Sequence, residues 1–139
     1  MSGSYLKNVI IVGAGGQVGG HIVQQLLAEG KHKVTALTRP DSSSSMPSGV
    51  HDIRKSDYDQ PDQLATAMVG RDVLIITMGA MAPASSSLKL IDAAAAADLK
   101  YIVPNEWGTD RAQMQIGKDM MLAEGQIKIR ECIESKSLK

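Results

Sequence analysis

Polar and apolar positions along this 139-residue chain follow two alternating rhythms. Short apolar runs stand at Asn8–Val12, 34–38, 73–77 and Tyr101–Val103, with a weaker one at 50–54. Runs of this length bounded by turn residues predict strands. The near-continuous apolar character of the first and fourth predicts burial on both faces, as in a parallel sheet. Between them the period changes to that of a helix. Over Gln17–Glu29, Val18, Ile22, Val23, Leu26 and Leu27 recur on one face, and Gly30 is a natural stop. A second helix over 61–69 opens on Pro61, turns Leu64 and Met68 inward and closes at Gly70. A third is expected to be capped by Ser85, Ser86 or Ser87 and to pack through Leu88, Ile91 and the alanines 93–97. The last, over 124–135, turns Ile129, Cys132 and Ile133 inward, whereas 1–6 and 109–122 lack a clear period. Strand and helix alternate throughout. That pattern predicts one α/β domain over 1–139, a doubly wound parallel sheet in order 3-2-1-4-5.

The first strand runs into a cluster of glycines, Gly13, Gly15, Gly16, Gly19 and Gly20, which feeds the first helix. A strand, a tight turn and a helix N-terminus together present unpaired amides and a positive dipole end to a phosphate. The common Rossmann spacing needs a glycine at 18, where Val18 stands; the spacing that fits is G-x-x-G-x-x-G at 13, 16 and 19. Gly13 permits the turn, Gly16 lets backbone approach a pyrophosphate, and Gly19 lets helix and strand pack closely. Gly15, Gln17 and Val18 complete the loop. The competing reading is a turn that only packs a strand on a helix. Together with the alternation above, the loop predicts a Rossmann-like NAD(P)-binding domain.

At the end of the second strand an acidic residue would bind the ribose 2′-hydroxyl of NAD. Thr38 and Arg39 stand there instead. A guanidinium suits a 2′-phosphate, so the pair predicts NADP(H), against an ordinary surface arginine. The serines 42–45 form a low-complexity loop whose hydroxyls could also meet a phosphate. Asp57 either accepts from the adenine amino group or caps a turn; both readings stay open. Met78 and Gly79 leave the fourth strand, and Pro104, Asn105 and Glu106 the fifth, on the same ligand edge of the sheet. His21, in the second turn of the first helix, could face a cofactor phosphate, but reads first as a partly exposed histidine without a role.

Composition narrows the classes. Net formal charge is zero and the basic residues are dispersed, so no nucleic-acid partner is expected. No apolar run reaches bilayer length and no signal pattern opens the chain, so no membrane partner is expected. The single Cys132 cannot form an internal disulfide, which fits a cytoplasmic, intracellular setting. One cysteine and three scattered histidines offer no metal-ligand spacing. With no Phe and eight Met, the core must be built from Ile, Val, Leu, Ala and deformable Met.

Several segments resemble the NmrA-like and isoflavone-reductase-like proteins, atypical short-chain dehydrogenases, in a fungal-looking version. They are Gly13-Ala-Gly-Gly-Gln-Val-Gly19, Thr38-Arg39, 57–73, Leu90-Ile-Asp-Ala-Ala-Ala95 and, most specifically, Tyr101-Ile-Val-Pro-Asn-Glu-Trp-Gly-Thr-Asp110. The resemblance implies NADP(H) binding, with Gly13, Gly16, Gly19 and Arg39 carrying the phosphates. It implies that Thr77, Met78, Gly79 and Ala80, with Pro104 to Trp107, border the nicotinamide. Many members reduce small aromatic or phenolic metabolites; some, such as the NmrA regulators, bind dinucleotide without evident catalysis.

Two departures bear on chemistry. The reductases of this family use a helical lysine. Aligning Ile129-Arg-Glu-Cys-Ile-Glu134 on the matching helix puts Gln126 there, with Lys128 two residues on, about 200° round a regular helix. Gln126 and Lys128 are therefore the catalytic candidates, with Lys118 behind them. A glutamine hydrogen-bonds but supplies no ammonium. The Y-x-x-x-K pair of short-chain dehydrogenases is absent: Val9, Asp62 and Asn105 follow Tyr5, Tyr58 and Tyr101 at that spacing. Second, the chain stops where the family's sixth strand would begin. That leads to the expectation of a truncated homologue or a fragment, self-associating through an exposed fifth-strand edge. The expected function is an NADPH-dependent reductase of a small organic metabolite. The alternatives are a non-catalytic NADP(H)-sensing regulator or interaction module and, more distantly, a non-redox enzyme on the same fold.

Overall fold

Ile10 and Ile11 are adjacent in sequence, point to opposite faces and are both fully buried. Only a strand with a strand on each side and helices above and below can do that. In the computed structural model, which describes residues 4–79, 81–108, 114–119 and 123–139, they lie on β1 (Asn8–Val12), the centre of a five-stranded sheet. The elements follow as α1 (Gln17–Glu29), β2 (Lys33–Thr38), β3 (Asp52–Lys55), α2 (Pro61–Met68), β4 (Val73–Ile76), α3 (Ala84–Ala96), β5 (Tyr101–Val103), α4 (Met114–Asp119) and α5 (Ala123–Ser135). The sheet runs β3-β2-β1-β4-β5 with every pairing parallel, and Ile11 faces Ala36 on one side and Ile75 on the other.

The alternation of the strands divides the core. Ile10, Val12, Leu37, Leu74, Ile76 and Ile102 meet Leu64 and Met68 of α2, Leu90 and Ile91 of α3, and Ile129 of α5. On the other face Ile11, Val34 and Ala36 meet Val23 of α1, with Ile22, Leu26 and Leu27 at its margin. Beyond α1 that face is less covered, and Tyr101 and Val103 are each 37% exposed. The β5 edge is met by the chain itself. Lys139 N–H donates to the Lys100 carbonyl at 3.0 Å, and Ile102 N–H donates to the Lys139 carbonyl at 2.8 Å, the spacing of a parallel pair.

The structure departs from the sequence expectations at four points. Val18 faces solvent at 44% exposure, because the first turn of α1 projects past the sheet that buries Val23. No serine caps α3: it starts at Ala84 after an extended Pro83, so the three serines fall inside its first turn and Ser87 is buried. β3 starts at Asp52, not 50, because the His51 ring, through Nδ1, accepts the Val34 N–H at 3.1 Å that a longer strand would have paired. The aperiodic stretch contains the short α4; residues 109–113 and 120–122 lie outside the described residues.

Candidate functional site

The site grows out of the β1–α1 turn. Gly13 has φ +84, a left-handed conformation that favours glycine, and a side chain there would meet the Thr77 carbonyl oxygen at 1.8 Å. A Cβ on Gly19 would stand 2.0 Å from the Gly13 carbonyl oxygen and 2.6 Å from Thr77 Oγ1. These two glycines let β1, α1 and the end of β4 meet at one point. Thr77 closes it, donating both its N–H (2.9 Å) and its hydroxyl (2.7 Å) to the Val12 carbonyl. Gly16 caps α1 with extended backbone and no side-chain hydrogen bond, so the first-turn amides are not capped by a side chain.

This turn walls one side of a 460 Å³ cavity at the carboxyl ends of β1, β2 and β4. Gly13, Gly15 and Gly16 line it, together with Thr38 and Arg39 from the end of β2 and Thr77, Met78 and Gly79 from the end of β4. Ser42, Ser44 and Met46 bring in the serine loop, which lies across the glycine turn: a Cβ on Gly15 would reach the Ser45 carbonyl oxygen at 2.4 Å. Ala82, Pro83 and Ser86, at the start of α3, close the far side. Arg39 is largely exposed and only loosely paired, with Nε 3.9 Å from Asp41. Its guanidinium is thus available to a ligand anion.

Other expected residues stand elsewhere. Gln17 and Val18 are exposed and do not line the cavity, and Gly19 lies beneath it. Asp57 is exposed and accepts the Asp59 N–H at 2.9 Å, which is the turn-capping alternative. Tyr58 enters the cavity in its place. Burial pushes its phenol above the usual tyrosine range, against the opposing pull of the Arg39 charge. Pro104, Asn105 and Glu106 form a layer behind the lining. Asn105 Oδ1 accepts the Met78 N–H at 3.0 Å, Trp107 Nε1 donates to the Ile76 carbonyl at 2.8 Å, and Glu106 holds Arg130 of α5 through two hydrogen bonds of 2.9 and 2.7 Å. The layer thus positions the end of β4 and does not itself line the cavity.

Neither catalytic candidate lines the cavity. Lys128 is exposed and paired with Glu124 one turn back at 2.9 Å, and Gln126 is half-buried on α5. Lys118 is exposed on α4, and Ala80 lies outside the described residues. Besides Val12 and Leu37 at the strand ends, the lining residues missed by sequence reasoning are Met46, Tyr58, Ala82, Pro83 and Ser86. They sit in turns or at a helix start, where no periodicity marks an inward side chain. For Tyr58 a signal existed: the Asp57-x-Asp59 turn that commits the carboxylate also frees the residue between.

Uncapped helix amides, a crowded glycine turn, a loosely paired guanidinium and hydroxyls around one cavity make a donor set suited to a phosphorylated dinucleotide. Comparison with known proteins agrees. The model of the NmrA-like family matches residues 6–139. Oxidoreductase aprR of Aspergillus flavus is 37% identical over 128 residues, which cover 91% of this chain and 41% of that protein. The solved structure of AtPrR2 with NADP+ and (+)pinoresinol superimposes with a TM-score of 0.80 at 22% identity, over 97% of this chain and 48% of that one. Structures of pinoresinol-lariciresinol and phenylcoumaran benzylic ether reductases give 0.78 at 26% identity, over 95% and 47%. The chain therefore spans less than half the length of these relatives.

Proposed function

The chain belongs to the NmrA-like family, and from that premise we propose that it is the NADP(H)-binding part of an NADPH-dependent reductase of a small aromatic or phenolic metabolite. The observation that carries this is the cavity where the glycine turn and Arg39 face one another across the ends of β1 and β2. In this reading the Gly15 amide and those at the start of α1 hold the pyrophosphate, the Gly16 N–H being spent on the Gly13 carbonyl at 3.0 Å, and Arg39 with Thr38 meets the 2′-phosphate. Met78 and Gly79 border the nicotinamide, held in place by Asn105. Bound NADPH would supply the hydride; the protein binds and orients it. The oxidoreductase name of the fungal relative supports the reaction class, and the pinoresinol held by a structural neighbour supports the substrate class.

Isothermal titration with NADPH and NADH tests the reading. A charge-assisted guanidinium–phosphate contact contributes about 1.5–3 kcal/mol, so NADPH should bind at least about tenfold more tightly than NADH. Arg39→Ala should remove most of the difference. Equal affinity in the unaltered chain would refute the Arg39 assignment, and no binding of either would leave the glycine turn purely structural. NADPH oxidation against a panel of phenolic and quinone-type compounds tests the reductase itself.

A further inference from the structure

We propose that Tyr58 receives the adenine ring of the dinucleotide, so that the base is recognised by its face and not by its amino edge. The inference rests on the NADP(H) reading above and deepens it.

Three observations carry it. The first is a turn. Asp57 accepts the Asp59 N–H through its side chain and the Gln60 N–H, at 3.1 Å, through its carbonyl. This directs the carboxylate to solvent and admits the phenol of Tyr58 to the cavity. The second is support: the ring packs against the main core cluster, so its position is set by the fold before any ligand arrives. The third is the lining itself. Among the described lining residues Arg39 is the one charged side chain, and none carries a carboxylate. The described lining therefore offers the 6-amino group of adenine no acid. What the described lining does offer a purine is the aromatic ring of Tyr58. An aromatic ring binds π-faces whatever the substituents on the ring edge. The influence of the Arg39 charge on the Tyr58 phenol places the two groups within electrostatic reach of each other.

The test is a base exchange. The 139-residue chain is titrated with NADPH, NADH and reduced nicotinamide hypoxanthine dinucleotide phosphate, in which a carbonyl replaces the 6-amino group. Face recognition predicts that the hypoxanthine compound binds within about threefold of NADPH, less than one lost charge-assisted hydrogen bond would remove. Tyr58→Phe should keep wild-type affinity. Tyr58→Ala should weaken NADPH and NADH alike by about tenfold, the worth of one base stacked on an aromatic ring. Arg39→Ala differs in kind, because it should act mainly on NADPH.

A tenfold or greater preference for NADPH over the hypoxanthine compound, abolished by Asp57→Ala, would overturn the proposal in favour of edge recognition. So would a folded Tyr58→Ala variant with unchanged affinities. Should Tyr58→Ala not fold, the base comparison on the unaltered chain decides alone. Absence of NADPH and NADH binding would instead sink the cofactor reading, and this proposal with it. Normal binding with a failed base comparison sinks this proposal only.

Discussion

Gly19 and Gly20 are neighbours on the first turn of α1, yet alanine should act on them in opposite directions. A Cβ on Gly19 would stand 2.0 Å from the Gly13 carbonyl oxygen, 2.6 Å from Thr77 Oγ1 and 2.7 Å from the Gly13 carbonyl carbon. Relief to ordinary contact needs an opening of about 1.4 Å. Two of the three atoms are backbone, and Thr77 is buried with its hydroxyl committed to Val12. Nothing nearby can swing aside, so α1 must lift from the sheet. Overpacking of this kind costs about 1–3 kcal/mol, and this geometry lies at the upper end. The better helix propensity of alanine returns about 1 kcal/mol, leaving a net loss of about 2 kcal/mol. A Cβ on Gly20 would meet only the Ala14 carbonyl oxygen, at 3.7 Å. Gly20→Ala should therefore keep most of the propensity gain, about 0.5–1 kcal/mol. Equilibrium urea unfolding separates the two. With a slope of about 1–3 kcal/mol per molar, the midpoints should part by about 1 M or more, on opposite sides of the wild type. A Gly19→Ala midpoint at or above wild type would refute the steric argument. A Gly20→Ala loss equal to that of Gly19→Ala would do the same.

Thr77→Val removes the hydroxyl that donates to Val12 but leaves the Thr77 N–H on the same carbonyl; it should cost about 1 kcal/mol in urea unfolding. Arg130→Ala strands Glu106, whose side chain is 14% exposed, behind the end of β4. That should cost about 2–3 kcal/mol, somewhat less than a fully buried pair, and weaken NADPH binding; an unchanged midpoint would contradict the clamp. The raised Tyr58 pKa gives a sign for alkaline behaviour. The folded state holds the phenolic proton longer than the unfolded state, so this contribution is intact below the ordinary tyrosine value of about 10 and is lost as pH rises through the folded value. Unfolding free energies across that range should fall less steeply for Tyr58→Phe than for wild type.

Sheet order and site location were legible because they follow from strong local patterns. The doubly buried runs at β1 and β4 demand central strands, and glycines between strand and helix mark the turn that Gly13 and Gly19 make. What escaped the sequence lies where several segments converge. That Asn105 and Trp107 serve the end of β4 needs the chain to pass from β4 through α3 and back before the contact exists. Lys128 offered a charge at a suggestive position, but the helix pairs it with Glu124 on an exposed face. Asp57 and Tyr58 are adjacent, and the choice of which one enters the cavity was made by the turn hydrogen bonds that Asp57 accepts, which composition does not reveal.

Trp107 is the only tryptophan in the chain, and its indole nitrogen is tied to the Ile76 carbonyl, two residues before the Met78 and Gly79 that wall the cavity. The half-exposed ring thus makes every photon of indole emission come from beside the ligand edge of the sheet. The protein carries its own optical label there. Its emission maximum registers whether the end of β4 stays docked, and its intensity would register a nicotinamide bound there as proposed. Ligand arrival and local opening can therefore be followed in unmodified protein, one by quenching and the other by a red shift.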